Sequence, residues 1–169
     1  MNYNEEVNNY DVNFEGIEEG YFLVGLLSAF NNLYQTTADA AIKEISWKQM
    51  FSLICINMCK VAPSINELAD IMESSHQNVK QILLKLEKKG FIYFETDEKD
   101  KRKQRIYIAD RAEKFFEELG DTGNRFMSSI FADIPTEQLQ VTIKTIAHME
   151  QNLKKMRGKK NESISDIQE

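Results

Sequence analysis

Long apolar runs are missing from this chain. None reaches the roughly eighteen residues that cross a bilayer, and the densest stretch, Tyr21 to Leu27, is short and interrupted by Gly25. The opening residues (Met1, Asn2, Tyr3, Asn4, Glu5, Glu6) have neither the basic start nor the apolar stretch of a secretory signal. These absences lead us to expect a cytoplasmic protein with no membrane partner. Cysteine is also scarce. Cys55 and Cys59 stand alone, and the two histidines, His76 and His148, are distant in sequence, so no zinc set can be assembled and no metal is expected. Two thiols four residues apart on a helix face the same side, and a disulfide between them would distort that helix. They read either as small apolar core residues or as a thiol sensor. The chain also lacks G-x-S-x-G, a P-loop glycine pattern, H-E-x-x-H and any Cys/His/acid cluster. Ser75 and His76 are neighbours but read better as a helix start. We therefore expect no enzyme and no cofactor.

Positive charge is in deficit overall, with 21 basic against 27 acidic side chains, which on its face disfavours a nucleic-acid partner. The distribution reverses that inference. Residues 1–73 hold 3 basic and 11 acidic side chains, and residues 106–169 hold 9 and 11, but residues 74–105 hold 9 basic and 5 acidic. A local cationic block can act on its neighbours while distant acids are screened over a Debye length of about 8 Å. Hydrophobic residues at 42% and charged residues at 28% exclude wholesale disorder, and the length fits one domain.

Residues 1–14 are rich in Asn, Asp and Glu and read as a flexible arm. From Glu15 to about Ile42 apolar residues recur at helical spacing on a broad face that includes Phe22 and Phe30. Ser46-Trp47-Lys48-Gln49 and Ser64-Ile65-Asn66-Glu67 have the form of capping boxes, each opening a helix; the first runs to near Lys60. Ser74-Ser75-His76-Gln77 is a third start. The helix after it places Val79, Ile82, Leu83 and Leu86 on one face and ends at Gly90. Phe91 to Glu95 and Arg105 to Ile108 read as strands of a hairpin with a charged tip from Asp97 to Lys103. Helix is expected again from an N-cap at Asp110, with a kink at Gly120 and Gly123, and last from Pro135 and Thr136. Residues 158–169 read as a disordered tail.

A short helix, a tight turn, a longer helix and a charged hairpin form the order of a winged helix-turn-helix, whose second helix enters the major groove. The fold class expected is mainly α with a small β-hairpin wing. Dimerisation helices at about 15–42 and 111–157 flank a winged segment at about 46–109. On the outer face of the reading helix, Lys80, Gln81 and Lys85 stand with Leu84 and Lys88, and Ser75, His76, Gln77 and Asn78 stand at its start. Gln and Asn can pair with adenine edges, and Lys can reach guanine or phosphate. Taken alone such a face is equally a solvated one, and Leu84 either meets a thymine methyl or contacts protein. The hairpin decides: Lys99, Lys101, Arg102, Lys103 and Arg105 gather cations against Asp100, beside a reading helix and within reach of the adjacent minor groove.

The chain resembles the MarR (multiple antibiotic resistance) regulators over about residues 15–157. The resemblance rests on Glu67-Leu68-Ala69, on Ser75-His76-Gln77-Asn78-Val79, on Leu86-Glu87-Lys88-Lys89-Gly90-Phe91-Ile92, and on Asp100-Lys101-Arg102, which matches the family's wing-tip Asp-x-Arg. It implies an obligate homodimer that binds double-stranded DNA at an inverted-repeat operator. It also implies a minor-groove role for Arg102, oriented by Asp100, and major-groove reading by Ser75, His76, Gln77, Asn78, Lys80 and Gln81. Many relatives respond to small aromatic ligands. Phe22, Phe30, Trp47, Phe51 and Met58, with Tyr34, could line such an effector pocket, although aromatics at helical spacing also serve as core. Two departures stand out. Ala109 and Ala112 occupy positions where the family usually has a capping Thr and a Gly, and Lys99 precedes the Asp-x-Arg where an Arg is common. The expected function is a transcriptional repressor relieved by an effector. The alternative is a winged-helix module that docks on another protein without touching DNA.

Overall fold

The computed structural model describes residues 14–165, with side chains to 158. Six helices and one hairpin follow in the order α1 (Glu19–Ile42), α2 (Trp47–Met58), α3 (Ile65–Ile71), α4 (His76–Lys88), β1 (Ile92–Thr96), β2 (Gln104–Ile108), α5 (Asp110–Ile130) and α6 (Thr136–Ser165). The chain divides within α5 into two compact units, the first ending at Glu117 and the second beginning at Glu118.

Local chemistry sets the short helices. Ser46 Oγ accepts from the Gln49 amide at 3.3 Å while Gln49 Oε1 accepts from the Ser46 amide at 3.0 Å, so two amides that the first turn leaves unpartnered are satisfied reciprocally. Ser64 and Glu67 repeat the device at α3, at 3.3 and 2.7 Å. Ser75 caps α4 by accepting from the Asn78 amide at 3.2 Å. The helix ends where Gly90 takes φ +73° and Phe91 donates back to the Leu86 carbonyl at 3.0 Å, a left-handed stop that glycine allows at no steric cost.

The core of the first unit sits between α2, α3, α4 and the hairpin. Leu53, Leu68, Val79, Leu83, Leu86, Phe91 and Ile106 are fully buried there. The hairpin pairs Ile92 with Ile108, Phe94 with Ile106 and Thr96 with Gln104. The two-residue period therefore turns Ile92 and Ile106 inward, and Tyr93 and Tyr107 stack on the other face with centroids 5.3 Å apart. A third edge is supplied by the segment before α3: Ile106 donates to the Pro63 carbonyl at 2.9 Å, and Ser64 bridges Arg105.

Several boundaries differ from the sequence expectation. α1 starts at Glu19 rather than Glu15, because Gly16 adopts φ +78° and closes a turn between Phe14 and Ile17. α2 stops at Met58, since Cys59 is extended. Asp110 is the first helical residue and not the cap. The Ala109 carbonyl accepts from Ala112 and Glu113, so the missing Thr side chain leaves this start uncapped, with Asp110 contributing a favourable charge to the first turn. α5 runs unbroken through Gly120 and Gly123. The tail expected to be disordered from 158 is helical to Ser165; residues 166–169, and residues 1–13 of the expected arm, lie outside the described residues.

Candidate nucleic-acid interface

The reading helix is sharply two-sided. Val79, Ile82, Leu83 and Leu86 are buried, while His76, Gln77, Lys80, Gln81, Leu84, Lys85 and Lys88 are exposed. Leu84 sits on that outer face. Among the described residues, the side chains of Gln77, Lys80, Gln81 and Lys85 hold no hydrogen bond or ion pair, so their donors and acceptors are available to a partner. Asn78 differs: its amide nitrogen donates to Ser74 Oγ at 2.9 Å, which ties it to the turn. Ser75 Oγ is engaged as the cap.

The wing tip is built around two aspartates. Asp97 Oδ1 accepts from the amides of Lys99 and Asp100 at 2.8 Å each, folding the loop, and the Asp97 amide donates to the Lys103 carbonyl at 2.9 Å. Asp100 Oδ1 accepts from the Arg102 amide and from its Nε, both at 3.2 Å. Arg102 is thereby oriented although its side chain is 91% exposed. Lys99, Lys101 and Lys103 are exposed around it.

Arg105, counted among the wing cations on sequence, faces the other way. Its side chain is 22% exposed, with Nε 2.5 Å from Asp97 Oδ2 and Nη1 2.7 Å from Glu67 Oε2. Nη1 also donates to the Ala62 carbonyl at 3.2 Å. One guanidinium thus joins the wing tip, the first helix of the helix-turn-helix and the strand-like segment before it. The fork geometry of arginine suits this role, which a lysine could not fill. The Asp100 amide, the Arg105 side chain and the Lys99 amide draw the Asp97 carboxyl down to about 2. Backbone and side-chain hydrogen bonds from Ser64, helped by Arg105, lower Glu67. Both carboxylates are therefore held by local donors. Beside them a groove of about 280 Å³ runs between Ser64–Glu67, His76 and Arg102–Gln104, bringing the start of the reading helix and the wing to one surface. Sequence reasoning missed Asp97, Glu67 and Arg105 as a network. The Ser64–Glu67 capping signal located Glu67, but nothing local marked its distant partner.

Of the five residues expected to form an effector pocket, Trp47 and Phe51 share one cavity wall, and Phe22, Phe30 and Met58 do not line it. Trp47 and Phe51 line a cavity of about 500 Å³ with Tyr34, Lys48, Glu73 and Asn78. Phe30 stacks on Tyr34 at 6.0 Å but is not in the cavity wall. Phe22 lines a separate apolar pocket of about 360 Å³ with Phe14 and Tyr21. Met58 is 78% exposed and lines neither, because α2 ends there. Burial raises the thiols of Cys55 and Cys59, and Cys59 Sγ donates to the Cys55 carbonyl at 3.2 Å. That environment disfavours the thiolate that oxidant sensing requires. Among the described residues no group of three His, Cys, Asp or Glu side chains could hold a metal ion, and no helix is long and apolar enough to cross a membrane.

Comparison with known proteins agrees with this architecture. Residues 45–103 match the model of the MarR family. A MarR/EmrR-family transcriptional regulator from Acinetobacter sp. ADP1 superposes with a TM-score of 0.73 at 13% identity, over 82% of this chain and 99% of that one. MepR of S. aureus, solved as a DNA complex, gives 0.68 at 18% identity over 76% and 95%. The organohalide-sensing regulator RdhR, in its 2,4-dichlorophenol-bound form, gives 0.72 at 19% identity over 86% and 88%. The matched residues contain the capped short helices, the two-sided reading helix and the wing tip just described: the chain has the winged helix-turn-helix fold of these structures, and over residues 45–103 it is similar to the MarR family.

Proposed function

We propose that the chain acts in the cytoplasm as a homodimeric, sequence-specific DNA-binding repressor whose operator is an inverted repeat. The observation that carries this reading is the exposed, unpaired set of Gln77, Lys80, Gln81 and Lys85 on α4 together with the cationic wing tip. Gln81, Gln77 and His76 are the base-reading candidates in the major groove, Lys80 and Lys85 reach base or phosphate, and Arg102 enters the minor groove with Asp100 fixing its direction. The DNA complex of the structural neighbour MepR supports the same use of the fold. Homodimerisation is supported by exposed apolar side chains, Tyr21, Phe30 and Leu33 on α1 and Val141, Ile143 and Leu153 on α6. Two-fold symmetry then sets half-site centres about 10 base pairs apart.

A small aromatic molecule is the proposed effector. The cavity walled by Tyr34, Trp47 and Phe51 offers ring surfaces, with Lys48 and Glu73 as polar contacts, and Asn78 of the reading helix forms part of the same wall. RdhR, in its dichlorophenol-bound form, supports an aromatic ligand for this architecture. The test is capture of genomic duplex fragments by the purified protein, followed by sequencing. An enriched inverted repeat, bound with steep salt dependence and released by simple phenols, is the expected result. Absence of duplex binding even at low salt would favour the protein-docking alternative.

A further inference from the structure

Three segments remote in sequence meet at the C-terminal end of the reading helix. Lys89 is its cap, and the Lys89 carbonyl, which the helix leaves without an intrahelical partner, accepts from Arg111 Nη1 at 2.6 Å. Arg111 Nη2 lies 2.5 Å from Glu44 Oε1, in the connection between α1 and α2. The guanidinium carbon stands 5.0 Å from the centre of the Phe91 ring, which is fully buried and packs edge-on against Phe115 of α5. Lys89 reciprocates: its Nζ donates to the Glu44 carbonyl at 2.6 Å. The Arg111–Glu44 pair is about half exposed, and an ion pair in that setting adds little stability by itself. Its value is geometric, because one planar group fixes α5, the α1–α2 connection and the reading helix at once.

We propose that Arg111 is a positioning residue for DNA reading, locking the end of α4 to the first turn of α5 and to the α1–α2 connection. This rests on the DNA-binding reading above. The lever arm explains why the lock matters. From Lys88 back to His76 the helix spans about 18 Å at about 1.5 Å per residue. A tilt of about 5° at the locked end moves His76 and Gln77 by roughly 1.5 Å, about three times the 0.5 Å span of good N–H···O distances. Base contacts at the start of α4 therefore depend on a residue that touches no base.

The test uses the full chain and the variants Arg111→Met and Glu44→Gln. Amide hydrogen exchange at Gly90 and Phe91 reads the lock without DNA. We expect exchange about tenfold faster in Arg111→Met, as loss of a charge-assisted hydrogen bond implies, and a smaller acceleration in Glu44→Gln, which keeps the Lys89 contact. On a duplex selected with the wild-type protein, Arg111→Met should bind about tenfold more weakly. Its affinity for random duplex and its salt slope should be unchanged. Its preference between half-sites spaced 10 and 11 base pairs apart should flatten, which a general loss of stability would not produce. Arg111→Lys should fall between, having the charge without the fork. Unchanged exchange with unchanged spacing preference overturns the proposal. So does an equal loss on random duplex with a shallower salt slope, which would make Arg111 a phosphate contact. If the wild-type protein bound no duplex, the DNA reading would fail, and the exchange result would still decide whether the lock exists.

Discussion

Among the described residues, fourteen of the seventeen buried apolar side chains lie between Ile45 and Ile106; α1 buries only Ala38, and α6 buries none among its described side chains. The capping differs in the same direction. α2 and α3 open with complete capping boxes, whereas α1 has no side-chain cap. The helices of the winged segment are short, 12, 7 and 13 residues, too short to hold without tertiary contacts and caps. The flanking helices are 24 and 30 residues long and present Leu, Val and Phe outward. A segment that satisfies itself can present its polar face freely. The flanking segments, with their exposed apolar faces, are where the proposed second copy would pack.

The contrast can be broken most forcefully at its centre. Leu83→Ala, in the fully buried face of α4, should cost about 2–5 kcal/mol in a denaturant titration, while Leu153→Ala in α6 should move the same transition of the winged segment little. Next comes the open face itself. Val141→Asp combined with Leu153→Asp should convert the proposed dimer to a single-chain mass in sedimentation and lower affinity for an inverted-repeat duplex about a hundredfold. An unchanged mass would mean that these faces are not where two copies meet.

Three smaller effects sharpen the role of the exposed surface. Gln81→Ala should cost roughly 1–3 kcal/mol on the selected duplex if it pairs with a base edge, with little change on random DNA. Arg102→Ala should weaken both and shallow the plot of log affinity against log salt by about 0.9. Asp100→Ala should weaken binding despite removing a negative charge, because the partner that aims Arg102 is gone; tighter binding would refute that role. The smallest effect is a pH response within the wing. Asp97 is drawn from the ordinary 3.8 to about 2. Its folded value lies below its unfolded one, so its contribution is complete above about 4 and is lost as pH falls toward 2. NMR of the Lys99 and Asp100 amides should show the tip loosening in that window, and Asp97→Asn should remove the response.

The parts legible in the sequence were those with short-range signatures. Ser46 with Gln49 and Ser64 with Glu67 announced their helices, and Val79, Ile82, Leu83 and Leu86 drew the buried stripe of α4. The wing tip was legible because Asp100 and Arg102 lie two residues apart. Arg105 was misread because its partners, Glu67 and the Ala62 carbonyl, lie 38 and 43 positions away. Glu44 lies 67 positions from Arg111, a separation that no local pattern encodes. The end of α6 failed for another reason. Gly158 and the polar residues after it lack an apolar stripe, yet a helix already 22 residues long at Arg157 can propagate at small cost per residue.

The wall of the larger cavity has an optical consequence. Trp47 is the chain's only tryptophan, and it stands in that wall, edge-on to Tyr34 at 4.6 Å and stacked with Phe51 at 6.1 Å. Light absorbed at the red edge of the protein spectrum is therefore absorbed at that one place. An aromatic molecule entering the cavity would quench or shift that emission directly, while the tyrosines of the wing would stay dark at that wavelength. The molecule thus carries its own titration signal at the site where its effector is proposed to bind, with no label to add and no second tryptophan to subtract.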